Sequence, residues 1–187
     1  MTEDYFTRGE KEFLLKIART TLEKFVTEGE RCEPQTVNSK LWEKMGVFVT
    51  LTKNGDLRGC IGYTEPIEPL MLAVRDNTIS AAKDSRFDPI ERGELGDINI
   101  EISILSELER TAFDDIGTGD GVVIKSGLNG ATYLPQVWAD FAKAMSPKEE
   151  FIKSLCLKAG LEENAYLEEG IEFYKYSVIK FSEQTIG

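Results

Sequence analysis

Cys60 stands between two glycines and two residues after an arginine, in the run Arg58-Gly59-Cys60-Ile61-Gly62. The thiolate is the form of cysteine that attacks electrophiles, and a neighbouring cation favours it. On a regular strand Arg58 and Cys60 share a face, whereas a bulge at Gly59 would part them. Backbone N–H groups around Gly59 and Gly62 would serve as an anion nest or an oxyanion site. The same residues also suit plain packing. Glycine permits a bulge or a close backbone approach, and a buried cysteine is one more small apolar side chain. Both accounts stay open at this point.

The chain contains no histidine. That removes Cys-His and Ser-His-Asp activation, the usual zinc sites with imidazole ligands, and the commonest general base near neutral pH. A base for Cys60 must then be Asp84 or Glu101, unless the thiol is already ionised. Asp84 falls with Asn77 on the face of a predicted helix that also carries Leu70, Ala73, Val74 and Ala81. Its other role would be to bond the backbone N–H groups of Ser85-Arg86-Phe87, a turn function that aspartate favours. Glu101 and Ser103 alternate with Ile98, Ile100, Ile102 and Ile104, which places them on the polar face of a strand spanning Asp97 to Leu105. No metal-ligand set and no cofactor are assigned. Gly117-Thr118-Gly119-Asp120-Gly121 precedes the strand-like Val122-Val123-Ile124 instead of opening a helix, so a turn explains its glycines better than a phosphate loop does.

The elements that must hold these residues follow from periodicity. Val47, Val49 and Leu51 alternate with Phe48, Thr50 and Thr52, and Asn54-Gly55 suits a two-residue turn with positive φ at both positions. A hairpin over Gly46 to Tyr63 results. Thr7 to Glu28 carries an apolar stripe, a Thr7/Glu10 capping box and a terminating Gly29, the pattern of a helix. Leu41 and Trp42 are expected to anchor the next segment, and Pro69 opens a second helix running to about Asp84. A second hairpin pairs Val122–Lys125 with Ala131–Leu134 through the five residues Ser126-Gly127-Leu128-Asn129-Gly130. Ser146-Pro147-Lys148-Glu149 reads as a capping box for a helix ended by Gly160, and Ile171 to Phe181 as one closing strand.

Composition sets the class. With 187 residues, 41% hydrophobic and 29% charged, the chain suits a soluble globular fold. Its 33 acidic and 22 basic residues give a net charge of −11, a field that disfavours nucleic acid as a partner. No apolar run approaches the ~20 residues of a membrane span, and Met1-Thr2-Glu3-Asp4 leads into no signal-peptide core. A cytoplasmic location and no membrane partner are expected. Three cysteines far apart, Cys32, Cys60 and Cys156, do not suggest a disulfide framework.

Leu57-Arg58-Gly59-Cys60-Ile61-Gly62 resembles the signature of the AMMECR domain family. So do Gly46-Val47-Phe48-Val49-Thr50-Leu51, Ala81-Ala82-Lys83-Asp84-Ser85-Arg86-Phe87, Ile98 to Leu105, Gly119-Asp120-Gly121, Leu134-Pro135-Gln136-Val137, and Phe151 through Leu161. The resemblance covers nearly the whole chain in order. It implies an α+β fold, a mostly antiparallel sheet flanked by helices in one domain over 1–187, with a larger and a smaller lobe. It also implies a functional centre at the Arg-Gly-Cys-Ile-Gly run, with Arg86 and Gln136 at further family positions. The family's links to radical-SAM and Memo-type proteins imply a place in a modification pathway. Two functions follow. One is a thiol-centred site with Cys60 as nucleophile. The other is a binding or adaptor module that uses Arg58, Gly59, Gly62, Asn77, Arg86, Glu101 and Gln136 for a peptide, a small anionic ligand or a partner protein.

Overall fold

The computed structural model describes residues 3–186. Helix α1 (Arg8–Glu28) is followed by strands β1 (Val47–Lys53) and β2 (Asp56–Tyr63), helix α2 (Leu70–Ala82) and strand β3 (Ile98–Leu105). Then come β4 (Glu109–Thr111), β5 (Gly121–Ser126), β6 (Asn129–Tyr133), α3 (Trp138–Phe141), α4 (Pro147–Lys158) and β7 (Glu172–Tyr176). Strand β8 (Val178–Ser182) and the short α5 (Glu183–Ile186) end it. The fold is α+β with two four-stranded sheets of order β2-β1-β3-β8 and β4-β7-β5-β6. The chain divides into two compact units. One takes the segment through Leu105 together with the segment from Ile179, and the other is Ser106–Val178.

In the first unit α1 forms as its sequence dictates. Thr7 caps it and exchanges bonds with Glu10, and Gly29 closes it at φ 72°. Its buried stripe, Leu14, Ile17, Ala18 and Leu22, joins α2 in covering one face of the sheet. There Val47, Val49, Leu51, Ile100, Ile102 and Ile104 are fully buried. The β1–β2 turn has Asn54 at φ 53° and Gly55 at φ 91°, as a type I′ turn requires. Its register runs Lys53↔Asp56 and Thr52↔Leu57, then slips so that Leu51 faces Gly59. The bulge therefore falls on Arg58, one residue before the glycine that the sequence singles out. Leu41 anchors the segment before β1 at 1% exposure, but Trp42 does not; it stands 47% exposed with its indole N–H on the Thr36 carbonyl.

In the second unit β5 and β6 turn through Gly127 and Leu128 alone, with Ser126 directly opposite Asn129. The five-residue loop is thus two residues long, because Gly127 takes φ 57° and reverses the chain at once. Ser146 precedes α4 without a side-chain cap. Its φ −126° and ψ 74° depart from the extended geometry of a capping serine, and the Glu150 amide bonds the Ser146 carbonyl instead. The core of this unit gathers Phe151, Ile152, Leu155 and Cys156 of α4 against Val122, Ile124 and Phe173, with Trp138 stacked on Phe151 at 3.9 Å. The alternation from Ile171 to Phe181 is not one strand. It breaks at Ser177 into β7 and β8, which join different sheets.

Candidate functional site

Three elements of the first unit meet at Cys60. Strand β2 is the outermost strand of its sheet and carries the Arg-Gly-Cys-Ile-Gly run. Helix α2 lies under it on the core side, and its last turn sets the fit. A Cβ on Gly59 would sit 2.1 Å from the Ala81 carbonyl oxygen, so only glycine lets α2 reach β2. A Cβ on Gly62 would sit 2.3 Å from the Val47 carbonyl oxygen and 2.5 Å from Phe48 Cα. Neither glycine has positive φ, so space and not backbone freedom demands them.

The third element is the loop after α2, which begins at Asp84. The carboxylate is buried and bonds in two directions. Locally, Oδ1 accepts the Arg86 amide at 3.2 Å, a turn anchor. Across the fold, Oδ2 accepts the Cys60 amide at 3.0 Å. The Arg86 guanidinium closes the circuit. Its Nη2 donates to Asp84 Oδ2 at 2.5 Å and to the Cys60 carbonyl at 3.2 Å, and its Nε donates to Oδ1 at 3.0 Å. Asp84 and Arg86 together thus supply the acceptor and the donor that a neighbouring strand would offer Cys60. The Arg86 guanidinium holds the Asp84 carboxyl well below the usual carboxylate range, helped by the two amides and opposed by burial.

The Cys60 side chain projects on the face away from the core. It is half-buried, and the Thr50 hydroxyl directly across the strand pair donates to its sulfur at 3.3 Å. Glu101 is opposite Thr50 on the other side, so Cys60, Thr50 and Glu101 form one row over three strands. Two strand spacings separate the thiol from Glu101, roughly 10 Å. Glu101 is ion-paired with Lys180 at 2.9 Å.

The bulge at Arg58 sends its guanidinium to the loop that leads to β3. It grips Glu94 at 3.2 and 2.9 Å and donates to the carbonyls of Asp88 at 2.6 Å and Pro89 at 3.2 Å. All three of its nitrogens are used, and none bonds the thiol. Arg58, Ser85, Arg86, Phe87, Asp88 and Glu94 line an open depression beside β2. The Arg58 guanidinium, with the Glu91 amide and Lys53, pulls Glu94 from its ordinary 4.5 to about 2 against burial. A depressed carboxylate adds stability that is complete above its unfolded pKa and is lost as pH falls through its folded one. Urea midpoints of the wild type should therefore fall from about pH 4.5 towards pH 2, and Glu94→Gln should flatten this limb. An equally steep limb in the variant would place the acid sensitivity elsewhere.

The candidate residues separate clearly. Cys60, Gly59, Gly62, Asp84 and Arg86 come together. Arg58 flanks them, bound to Glu94. Asn77 is buried under the sheet, its amide nitrogen donating to the Val47 carbonyl at 3.1 Å. Glu101 shares only the row on the sheet. Gln136 is exposed in the Pro135–Val137 turn of the other unit. Thr50 and Glu94 are absent from the residues singled out in the sequence. Counting back from the Asn54-Gly55 turn reaches Thr50, but puts it opposite Gly59 because the bulge is not visible. Nothing in the sequence ties Glu94 to Arg58. Among the described residues, no group of three or more cysteine or carboxylate side chains is placed to hold a metal ion, and no helix is long and apolar enough to cross a membrane.

Known proteins share this arrangement of sequence. A protein of Thermococcus onnurineus is 39% identical, over 92% of this chain and 90% of its own length. Protein PF1979 of Pyrococcus furiosus is 37% identical, over 92% and 88%. The crystal structure of the uncharacterized protein PH0010 from Pyrococcus horikoshii superposes with a TM-score of 0.84 at 34% identity, over 93% of this chain and 91% of that one. Residues 15–181 match the AMMECR1 family, and to that family the chain belongs.

Proposed function

We propose that the edge of β2 beside Cys60, with the exposed Arg86 guanidinium, is the binding site of a non-catalytic or adaptor module, and that its ligand is a peptide or a small anion. One observation carries this reading: both carboxylates that would serve the thiol as a base are already engaged. Asp84 is fixed to Arg86 and to the Cys60 amide, and Glu101 is paired with Lys180. A general base needs a free lone pair within hydrogen-bond reach of the proton it takes. Arg86 is different. Its side chain is 55% exposed, and its Nη1 has no acceptor among the described residues. A guanidinium with spare donors suits a carboxylate or phosphate.

Thiol chemistry within a modification pathway is the second reading. It draws on the half-exposed sulfur of Cys60 and on the Thr50 hydroxyl aimed at it. Alkylation by a small iodoacetamide, followed by peptide mass spectrometry, separates the two. Half-buried Cys32 and buried Cys156 act as internal controls. For a binding site, Cys60 should label at neutral pH no faster than Cys32, and Cys156 only on unfolding. A rate at Cys60 on the order of tenfold above Cys32 would replace binding with chemistry, since only an activated thiol reacts so selectively.

A further inference from the structure

Edge strands present unpaired N–H and C=O groups to any chain that can align with them. The outward groups of Cys60 are taken by Asp84 and Arg86. Groups two residues apart on a strand face the same side, so Gly62 turns its N–H and C=O outward as well. Gly62 is partly exposed and lies opposite Phe48, two pairs on from Cys60 and Thr50, and among the described residues no side chain or loop bonds either group. The edge is thus open at Gly62 and closed at Cys60. A strand that added itself at Gly62 could not continue past Cys60, where Asp84 and Arg86 already stand in its place. Only a chain that ends there fits.

At that stopping point lies the unspent Nη1 of Arg86. Gly62 and Cys60 are about 7 Å apart along the strand, the length of the last two residues of an added chain. Building on the binding reading above, we infer that the outer edge of β2 at Gly62 takes the C-terminal segment of a partner protein as an added strand, with the terminal carboxylate on Arg86. Main-chain pairing with capture of a terminal carboxylate needs little side-chain specificity. The net charge of −11 opposes an acidic partner at long range. The fitting segment is therefore neutral or basic apart from its terminus.

The test uses the full chain labelled with ¹⁵N and three probes. These are a pool of N-acetylated, neutral-to-basic degenerate hexapeptides with free C-terminal carboxylates, the same pool with C-terminal amides, and sodium acetate. The free-acid pool should shift the Gly62 amide and the Arg86 Nε–H signals, and amidation should weaken its binding on the order of tenfold. Equal binding of the amide pool would overturn the role of the carboxylate and leave a peptide site standing. Shifts at Arg86 from acetate and the free acids, without any at Gly62, would overturn strand addition and leave a small-anion site. No shift from any probe would overturn both this inference and the binding reading. Arg86→Gln should abolish the preference for acid over amide. If that variant does not fold, the comparison of pools on the wild type still decides.

Discussion

Alanine at position 59 is expected to destabilise the chain by about 3 kcal/mol, the upper end of the ordinary overpacking range. The added Cβ would lie 2.1 Å from the Ala81 carbonyl oxygen and 3.0 Å from its carbon. Both are backbone atoms in the last turn of α2, so no side chain can swing aside. The helix must withdraw from β2, yet Ala81 and Ala82 are themselves buried in the core. A shift there would also loosen the start of the loop that carries Asp84. For a chain of this size about 3 kcal/mol corresponds to a fall in melting temperature of roughly 6–12 °C. Thermal melts followed by circular dichroism would measure it. A change under about 2 °C would mean that α2 and β2 are not in the tight contact described. Gly55→Ala serves as the contrast. Its Cβ has open space, and any cost arises from its φ of 91° alone.

What the sequence makes legible here is what depends on near neighbours. The Thr7/Glu10 box, Gly29 and the Asn54-Gly55 turn each act within a few residues, and each forms as the residue types demand. The alternation of Ile98 to Ile104 reports its own buried face for the same reason. Pairing between distant segments leaves no such trace. Ile171 to Phe181 keeps a strand's period while changing sheets at Ser177, because period 2 records the pleat and not the partner. The bulge at Arg58 carries its guanidinium to Glu94, a partner 36 residues away that no local pattern announces. Asp84 is legible as a turn anchor through its bond to the Arg86 amide. Its second bond, to an amide 24 residues earlier, is not. Gly59 and Gly62 are recognisable as positions where something comes close. Neither has positive φ, and what comes close is the backbone of α2 and β1. The sequence brings Arg58 towards Cys60 on the assumption of a regular strand. The bulge is the physical reason that its charge serves the loop at Asp88–Glu94 instead.

Asp84→Ala tests the junction that this leaves at the centre. The carboxylate is 3% exposed and accepts the Cys60 amide, the Arg86 amide and the Arg86 guanidinium. Hydrogen bonds to charged groups contribute about 1.5–3 kcal/mol each. Arg86 is more than half exposed, so water replaces much of what it loses, and its share is discounted accordingly. The expected loss is about 3 kcal/mol, most of it from the Cys60 amide left facing a void. The pH dependence identifies the cause. Asp84 lies below its ordinary 3.8 when folded, so its contribution is complete above that value and declines as pH falls through the folded pKa. The difference between wild type and Asp84→Ala in urea should be full at pH 7 and smaller at about pH 3, where the unfolded carboxyl has taken its proton. A difference that does not change with pH would show that the side chain acts through its shape and not its charge. The same substitution removes one of the two groups that occupy the Cys60 edge and loosens the other, because Arg86 keeps only its 3.2 Å bond to the Cys60 carbonyl once Asp84 is gone. Strand β2 then lies open from Cys60 through Gly62. If a C-terminal segment binds there because Asp84 and Arg86 stop it, the variant should lose its preference for chain ends and accept internal segments of extended peptides as readily.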